Sequence, residues 1–255
     1  MSAAPLLDLD DVSLSFGGLK AIAGLSLHVN PGEVLAVIGP NGAGKTSMLN
    51  LVTRVFNATG GRMRFKQTDL RQTPRHRIAH LGIARTFQNI ELFEAASVLD
   101  NLMLGRHRFD QGNWLQQMLR TPALMALEEA HRAEVEAVIE FLELSPWRNA
   151  PVAGLPYGVR KVVELGRALC TRPELLFLDE PASGLNPEET RDLAFWIDDI
   201  RSDLGITVVM VEHDMSLVNA VADRVVCMAQ GMVLAEGSPA EVQADPAVIS
   251  AYLGT

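Results

Sequence analysis

Cysteine is scarce in this chain: there are two in 255 residues, Cys170 and Cys227. Both sit in apolar stretches, the usual setting of buried free thiols, so neither a disulfide framework nor a cysteine-built metal cluster is indicated. Positive charge is also short. The 22 Lys and Arg stand against 31 Asp and Glu, a formal net charge of −9. That balance argues against a polybasic membrane anchor or a nucleic-acid surface as the main mode of action, and no nucleic acid is expected as a partner. No apolar run reaches the roughly 18 residues that span a bilayer. The opening "MSAAPLLDLDDVSLSF" lacks the basic start and long apolar core of a signal peptide. Repeats, low-complexity tracts and an obvious linker are missing too. The expectation is a cytoplasmic globular protein, with the 48% apolar and 21% charged residues usual for that class.

What is present reads as mixed α/β. "LLDLDDVSLSF" and "LKAIAGLSLHV" alternate as strands do. "EVLAVIG", "ELLFLDE" and "ITVVMVEH" are short apolar runs of the kind found in buried parallel strands. A helix is predicted over 188–201, with Asn186 as N-cap, Pro187 at the first helical position and Glu189 three after the cap. From about 91 to 144 the chain turns helix-rich and methionine-containing, as an inserted helical subdomain would.

The chemistry-bearing stretch is "GPNGAGKT", residues 39–46, after a predicted strand and at the start of a predicted helix. Its spacing is G-x-x-x-x-G-K-[ST]. Glycines let the backbone wrap phosphate oxygens, successive N–H groups make an anion nest, and the helix N-terminus adds partial positive charge. Gly39, Pro40, Asn41, Gly42, Ala43, Gly44, Lys45, Thr46 and Ser47 form the candidate nucleotide-binding set. Lys45 would serve the β- and γ-phosphates and the Thr46 hydroxyl a Mg²⁺ ion. In "LLFLDEP" an apolar strand ends in Asp179 and Glu180. Asp179 is placed to hold Mg²⁺, and Glu180 to polarise an attacking water, which points to hydrolysis. A nucleotide's phosphates and Mg²⁺ are therefore the expected ligand and metal.

With these motifs in this order, the chain resembles the ATP-binding subunits of ABC transporters over nearly its full length, and the resemblance makes the nucleotide ATP. The resemblance implies an α/β P-loop NTPase core of ABC type with an N-terminal antiparallel β subdomain and an inserted helical subdomain. It also implies one ABC ATP-binding domain over 1–255, its core at about 1–90 and 165–255 and its helical subdomain with the signature loop at about 91–164. It makes Gln88 of "TFQN" the Q-loop glutamine, contacting Mg²⁺ where the membrane subunit docks. His213 of "VMVEHD" becomes the switch histidine at the γ-phosphate, and Phe16 the aromatic that stacks on adenine. Lys45, Gln88, Glu180 and His213 are thus the expected catalytic set, with Thr46, Gln88 and Asp179 around the metal. "ASGLN", 182–186, takes the D-loop position, with Asn186 where the family usually has an acidic residue, so only its cap role carries over.

The same resemblance implies a head-to-tail dimer, homo- or heteromeric, in which each ATP meets the signature loop of the other subunit. The family usually reads L-S-G-G-Q there; this chain reads Leu155, Pro156, Tyr157, Gly158 and Val159. Pro156 brings neither hydroxyl nor N–H, so the loop either works through backbone N–H groups or is a weakened site that needs its membrane partner to close. Arg160 and Lys161 follow as candidate added charge. The implied partners are membrane permease subunits and, indirectly, a periplasmic or extracellular solute-binding protein, which would hold this chain at the inner face of the cell membrane. "NIELFEAASVLDNLMLGRHR", "ASGLNPEE" and "VLAEGSPAEVQADPAVISAYLG" look like the subunits of branched-chain amino acid importers. Urea or amide importers, lipopolysaccharide export and a non-transport ATPase of the iron–sulfur assembly type stand as alternatives.

Overall fold

Leucine and aspartate alternate at the start of the chain, and this makes one face of the first strand, β1 (Leu7–Phe16), apolar. The alternation changes parity midway: Leu7 and Leu9 are buried, then Val12 and Leu14. The doubled aspartate at 10 and 11 absorbs the change. Asp11 adopts a φ of 50°, and the register with β2 (Leu19–Val29) shifts between Leu9 and Val12. One extra residue in a β-bulge returns the apolar side chains to the same face. The opposing Gly61 passes so close that a Cβ there would lie 2.3 Å from the Asp11 carbonyl oxygen.

The computed structural model describes residues 4–86, 90–109 and 122–253. Its contacts divide into two compact units, Met1–Gln88 with Glu174–Thr255, and Asn89–Pro173. In the first, β1 and β2 join β4 (Gly60–Phe65) and β5 (Thr68–Asp69) in an antiparallel sheet of order β2-β1-β4-β5. A six-stranded sheet has the order β10-β9-β3-β8-β7-β6. Here β3 (Val34–Ile38), β7 (Leu175–Asp179) and β8 (Thr207–Val211) are buried at every residue, as parallel strands covered on both faces must be. They run parallel with β6 (Ile83–Arg85) and β9 (Arg224–Ala229), and only β10 (Met232–Gly237) is antiparallel. The Lys45–Val52 helix buries Met48, Leu49, Leu51 and Val52 in a core shared with residues of both sheets.

The helix expected over 188–201 runs Pro187–Ser202 with its full capping box. The Asn186 carboxamide accepts the N–H groups of Glu188 (2.9 Å) and Glu189 (3.0 Å), and Glu189 accepts that of Asn186 (2.9 Å).

The second unit packs the helices Val98–Met103, Pro122–Phe141 and Tyr157–Leu169. Asn101 is fully buried and satisfied: it accepts from Phe93 N–H (2.9 Å) and donates to the carbonyls of Phe93 and Ser97 (3.0 Å each). The unit runs to Pro173, and the whole Tyr157–Leu169 helix lies within it. Cys170 and Cys227 are buried free thiols, and burial pushes the Cys170 pKa up to about 12. Among the described residues no helix is long and apolar enough to cross a membrane.

Candidate functional site

The carboxyl ends of β3, β8 and β7 lie side by side, because Val211 at the end of β8 pairs with Val37 on one flank and Asp179 on the other. Ligands of open α/β sheets bind beyond such ends. Each end here carries one predicted group: the 39–47 loop after β3, Asp179 and Glu180 at β7, and His213 just past β8.

The loop after β3 bends in ways side chains oppose. Gly39, Gly42 and Gly44 have φ of 144°, 81° and 102°. A Cβ on Gly39 would sit 2.1 Å from the carbonyl oxygen of Met228. Gly44 caps the Lys45–Val52 helix without a side-chain hydrogen bond, at an end suited to an anion. Lys45 Nζ arches over the loop and donates to the carbonyls of Gly39 (2.6 Å) and Pro40 (3.1 Å). Burial lowers its pKa, against the opposing charges of Glu180 and Asp179; phosphate alongside would favour the charged form further. The Thr46 side chain is exposed at the first turn of the helix, next to a half-buried Ser47.

Asp179 is buried, 2% exposed. Its partner is a residue that the motifs do not flag. Arg85, at the end of β6, donates Nη2 to Asp179 Oδ2 (2.6 Å) and Nη1 to Asn50 Oδ1 (2.7 Å) on the phosphate-loop helix. One guanidinium thus ties that helix to the Asp179 carboxylate. Glu180 follows with a left-handed φ of 48°, and its N–H reaches the Val211 carbonyl (2.9 Å). This costs a non-glycine residue about 1–2 kcal/mol. It turns the chain at the strand end and leaves the Glu180 residue half-exposed.

Among the described residues no three His, Cys, Asp or Glu gather as a metal cage. The Thr46 hydroxyl and the Asp179 carboxylate are hard oxygen donors, and a set of one or two protein oxygens completed by phosphate oxygens is how Mg²⁺ is commonly held. The residues present fit that ion. Gln88 lies outside the described residues.

Two further residues escaped the motif reading. The fully buried Glu212 accepts N–H groups from Ala182, His213 and Asp214 at 2.8, 2.7 and 3.0 Å. The Tyr252 hydroxyl accepts the Gly39 N–H at 2.8 Å, so the last described helix touches the entry to the phosphate loop. Phe16 ends β1 47% exposed, with its ring edge-on to Phe56 at 5.0 Å, which leaves ring surface available for stacking.

The signature stretch lies in the second unit. Leu155 is buried, and Pro156, with φ −53° and ψ 151°, is the N-cap of the Tyr157–Leu169 helix and makes no side-chain cap bond. The proline's fixed φ suits a helix entry, and Pro156 itself brings no side-chain hydrogen bond to the helix N-terminus. Gly158 is buried, and Tyr157 is exposed. Arg160 is taken up by Glu94 (3.0 Å), and the Lys161 ammonium lies 5.9 Å from the Tyr157 ring centroid. Both cations therefore already have partners inside the unit.

A family model described as ABC transporter matches residues 22–183, and one described as branched-chain amino acid ATP-binding cassette transporter matches residues 232–255. The chain is 40% identical over 250 residues to the high-affinity branched-chain amino acid transport ATP-binding protein BraF of Pseudomonas aeruginosa, with 98% of each covered. It is 36% identical, with the same coverage, to the corresponding LivG protein of Escherichia coli. A solved ATP-binding cassette of an ABC transporter in its ADP conformation superposes with a TM-score of 0.86 at 31% identity, covering 99% of this chain and all of that one.

Proposed function

The chain belongs to the ABC transporter family and is an ATP-binding, ATP-hydrolysing subunit of it; on that premise we propose that it powers the import of branched-chain or other amino acids through membrane permease subunits. Its antiparallel sheet, mixed sheet and helices are the ABC-type P-loop NTPase fold. The observation that carries the site assignment is the alignment of three strand ends, which sets the phosphate loop, the Asp179–Glu180 pair and His213 on neighbouring strands. The relatives' names speak for amino-acid transport, and so does the match of residues 232–255 to the branched-chain group.

In this reading Phe16 stacks on the adenine. The N–H groups from Gly42 to Ser47 and the Lys45 ammonium hold the phosphates, exchanging the loop carbonyls for phosphate oxygens. Thr46 and Asp179, with Gln88, hold Mg²⁺, which when bound neutralises phosphate charge. Glu180, half-exposed at the strand end, orients the attacking water, and His213 faces the γ-phosphate. A second ATP-binding subunit, the same or a different chain, closes over the nucleotide with its signature loop. In this chain that loop offers the helix N-terminus behind Pro156 in place of a hydroxyl. Of the two readings of 155–159 we adopt the backbone-based loop.

The chain with an affinity tag, solubilised from membranes, should copurify with a multi-spanning permease, and its deletion should abolish uptake of leucine, isoleucine or valine. Copurification with a soluble assembly and no permease would overturn the transport assignment in favour of a non-transport ATPase.

A further inference from the structure

We infer that Glu212 is a positioning residue that locks the D-loop and the switch histidine into one unit, so that the two loops move together during hydrolysis. The inference rests on the ATPase reading above and concerns a residue none of the motifs uses. Glu212 has no exposed surface. A carboxylate in that position must have its lone pairs satisfied, and the two oxygens divide the work. Oε1 accepts the Ala182 N–H at 2.8 Å. Oε2 accepts the N–H groups of His213 at 2.7 Å and Asp214 at 3.0 Å. Ala182 and Glu212 are 30 positions apart in sequence.

What hangs on each side is the catalytic machinery. Ala182 stands two residues after Glu180, in a turn where the Ser183 N–H meets the Glu180 carbonyl at 3.1 Å and the Glu180 N–H meets the Val211 carbonyl at 2.9 Å. The turn that aims Glu180 is thus held to β8 at Val211 and at Glu212. On the other side, the His213 side chain is 63% exposed, with Nδ1 3.7 Å from Glu212 Oε2. Asp214 continues as the N-cap of the Met215–Val221 helix, accepting from Ser216 and Leu217. Displacing the Ala182 turn would pull on Oε1, and through the same carboxylate on the backbone that carries His213.

The chemistry requires an acceptor at both oxygens. A carboxylate accepts only, whereas a glutamine of the same shape presents one oxygen and one NH₂. Glu212→Gln must therefore set a donor against either the Ala182 N–H or the His213 and Asp214 N–H pair. One arm breaks whichever way the amide turns. A hydrogen bond to a charged group is worth about 1.5–3 kcal/mol, so losing one arm corresponds to roughly a 10- to 100-fold change.

The test is a double-mutant cycle on the full-length purified chain with Glu212→Gln, His213→Ala and the pair, reading steady-state ATP hydrolysis, binding of a fluorescent ATP analogue and the thermal midpoint. Glu212→Gln is expected to lower kcat at least tenfold with nucleotide affinity held, and to have little further effect once His213→Ala is present, the mark of residues acting as a unit. Glu212→Asp, which keeps the charge but is too short to reach both loops, is expected to lose kcat likewise and serves if the glutamine variant does not fold. Multiplicative losses in the cycle, a parallel loss of nucleotide affinity, or wild-type kcat in either variant overturns the inference. A fully active His213→Ala would remove His213 from the catalytic set and overturn the inference, whereas a wild-type chain that fails to hydrolyse ATP would instead bring down the ATPase reading and this inference with it.

Discussion

Replacing Arg85 by methionine removes the positive partner of a carboxylate that has almost no contact with water. The two side chains of that pair are 8% and 3% exposed, and their contact is 2.6 Å. Breaking a buried ion pair from one side costs about 3–5 kcal/mol, because the remaining charge is neither solvated nor paired. The Asn50 contact at 2.7 Å is lost as well. At about 2–4 °C per kcal/mol for a chain of this size, the midpoint of thermal unfolding should fall by roughly 10 °C. The cycle with Asp179→Asn separates charge from packing: in the neutral background Arg85→Met should cost much less, since no stranded carboxylate remains. Urea titrations of the four proteins measure this directly. A single variant within about 1 kcal/mol of wild type, or equal losses in both backgrounds, would refute the claim that Arg85 is there to compensate Asp179.

Other consequences are measurable with the same preparations. Pro156→Ser should leave the ATPase rate and ATP affinity of the isolated subunit unchanged if the backbone N–H groups suffice; a clear rise in either would mark the native loop as a weakened site. Phe16→Ala should raise the KM for ATP roughly tenfold with little change in kcat, as stacking of a base on an aromatic ring is worth about 1–3 kcal/mol. Burial alone would raise the Glu33 pKa, but hydrogen bonds from Arg224 and Asn30 and the Arg224 charge outweigh it and hold it below its ordinary value of 4.5. A carboxyl depressed in the folded state stabilises above its unfolded pKa and loses that contribution as the pH falls through the folded one. Unfolding free energy should therefore drop with pH below 4.5, and Glu33→Gln should flatten that drop.

Local signals were legible in the sequence and long-range ones were not. The Asn186 cap could be read because its partners lie within three residues. β3, β7 and β8 could be read because burial on both faces makes an unbroken apolar run. The doubled aspartate in β1 hid a bulge, since a parity change looks the same as a weak strand. β6 is three residues long and carries no period at all. Arg85 reads as a solvated cation until the fold brings Asp179 to it from 94 positions away. Glu212 looks like one more acidic residue in "VEHD", and only its contact with Ala182 gives it a role. Tyr252 closes a helix at the far end of the chain, 213 positions from the glycine it meets. The motif residues are those whose chemistry needs a fixed local spacing. The residues that hold them in place answer to tertiary geometry.

The central claim is that the Asp179–Glu180 strand end performs ATP hydrolysis at the phosphate loop. Glu180→Gln keeps the size of the side chain and removes its ability to take a proton from water. Hydrolysis and equilibrium binding of ATP, measured on the same sample, should separate: phosphate release falls to background while ATP binds at least as tightly as to the wild type. Full phosphate release from the Glu180→Gln chain would contradict the account.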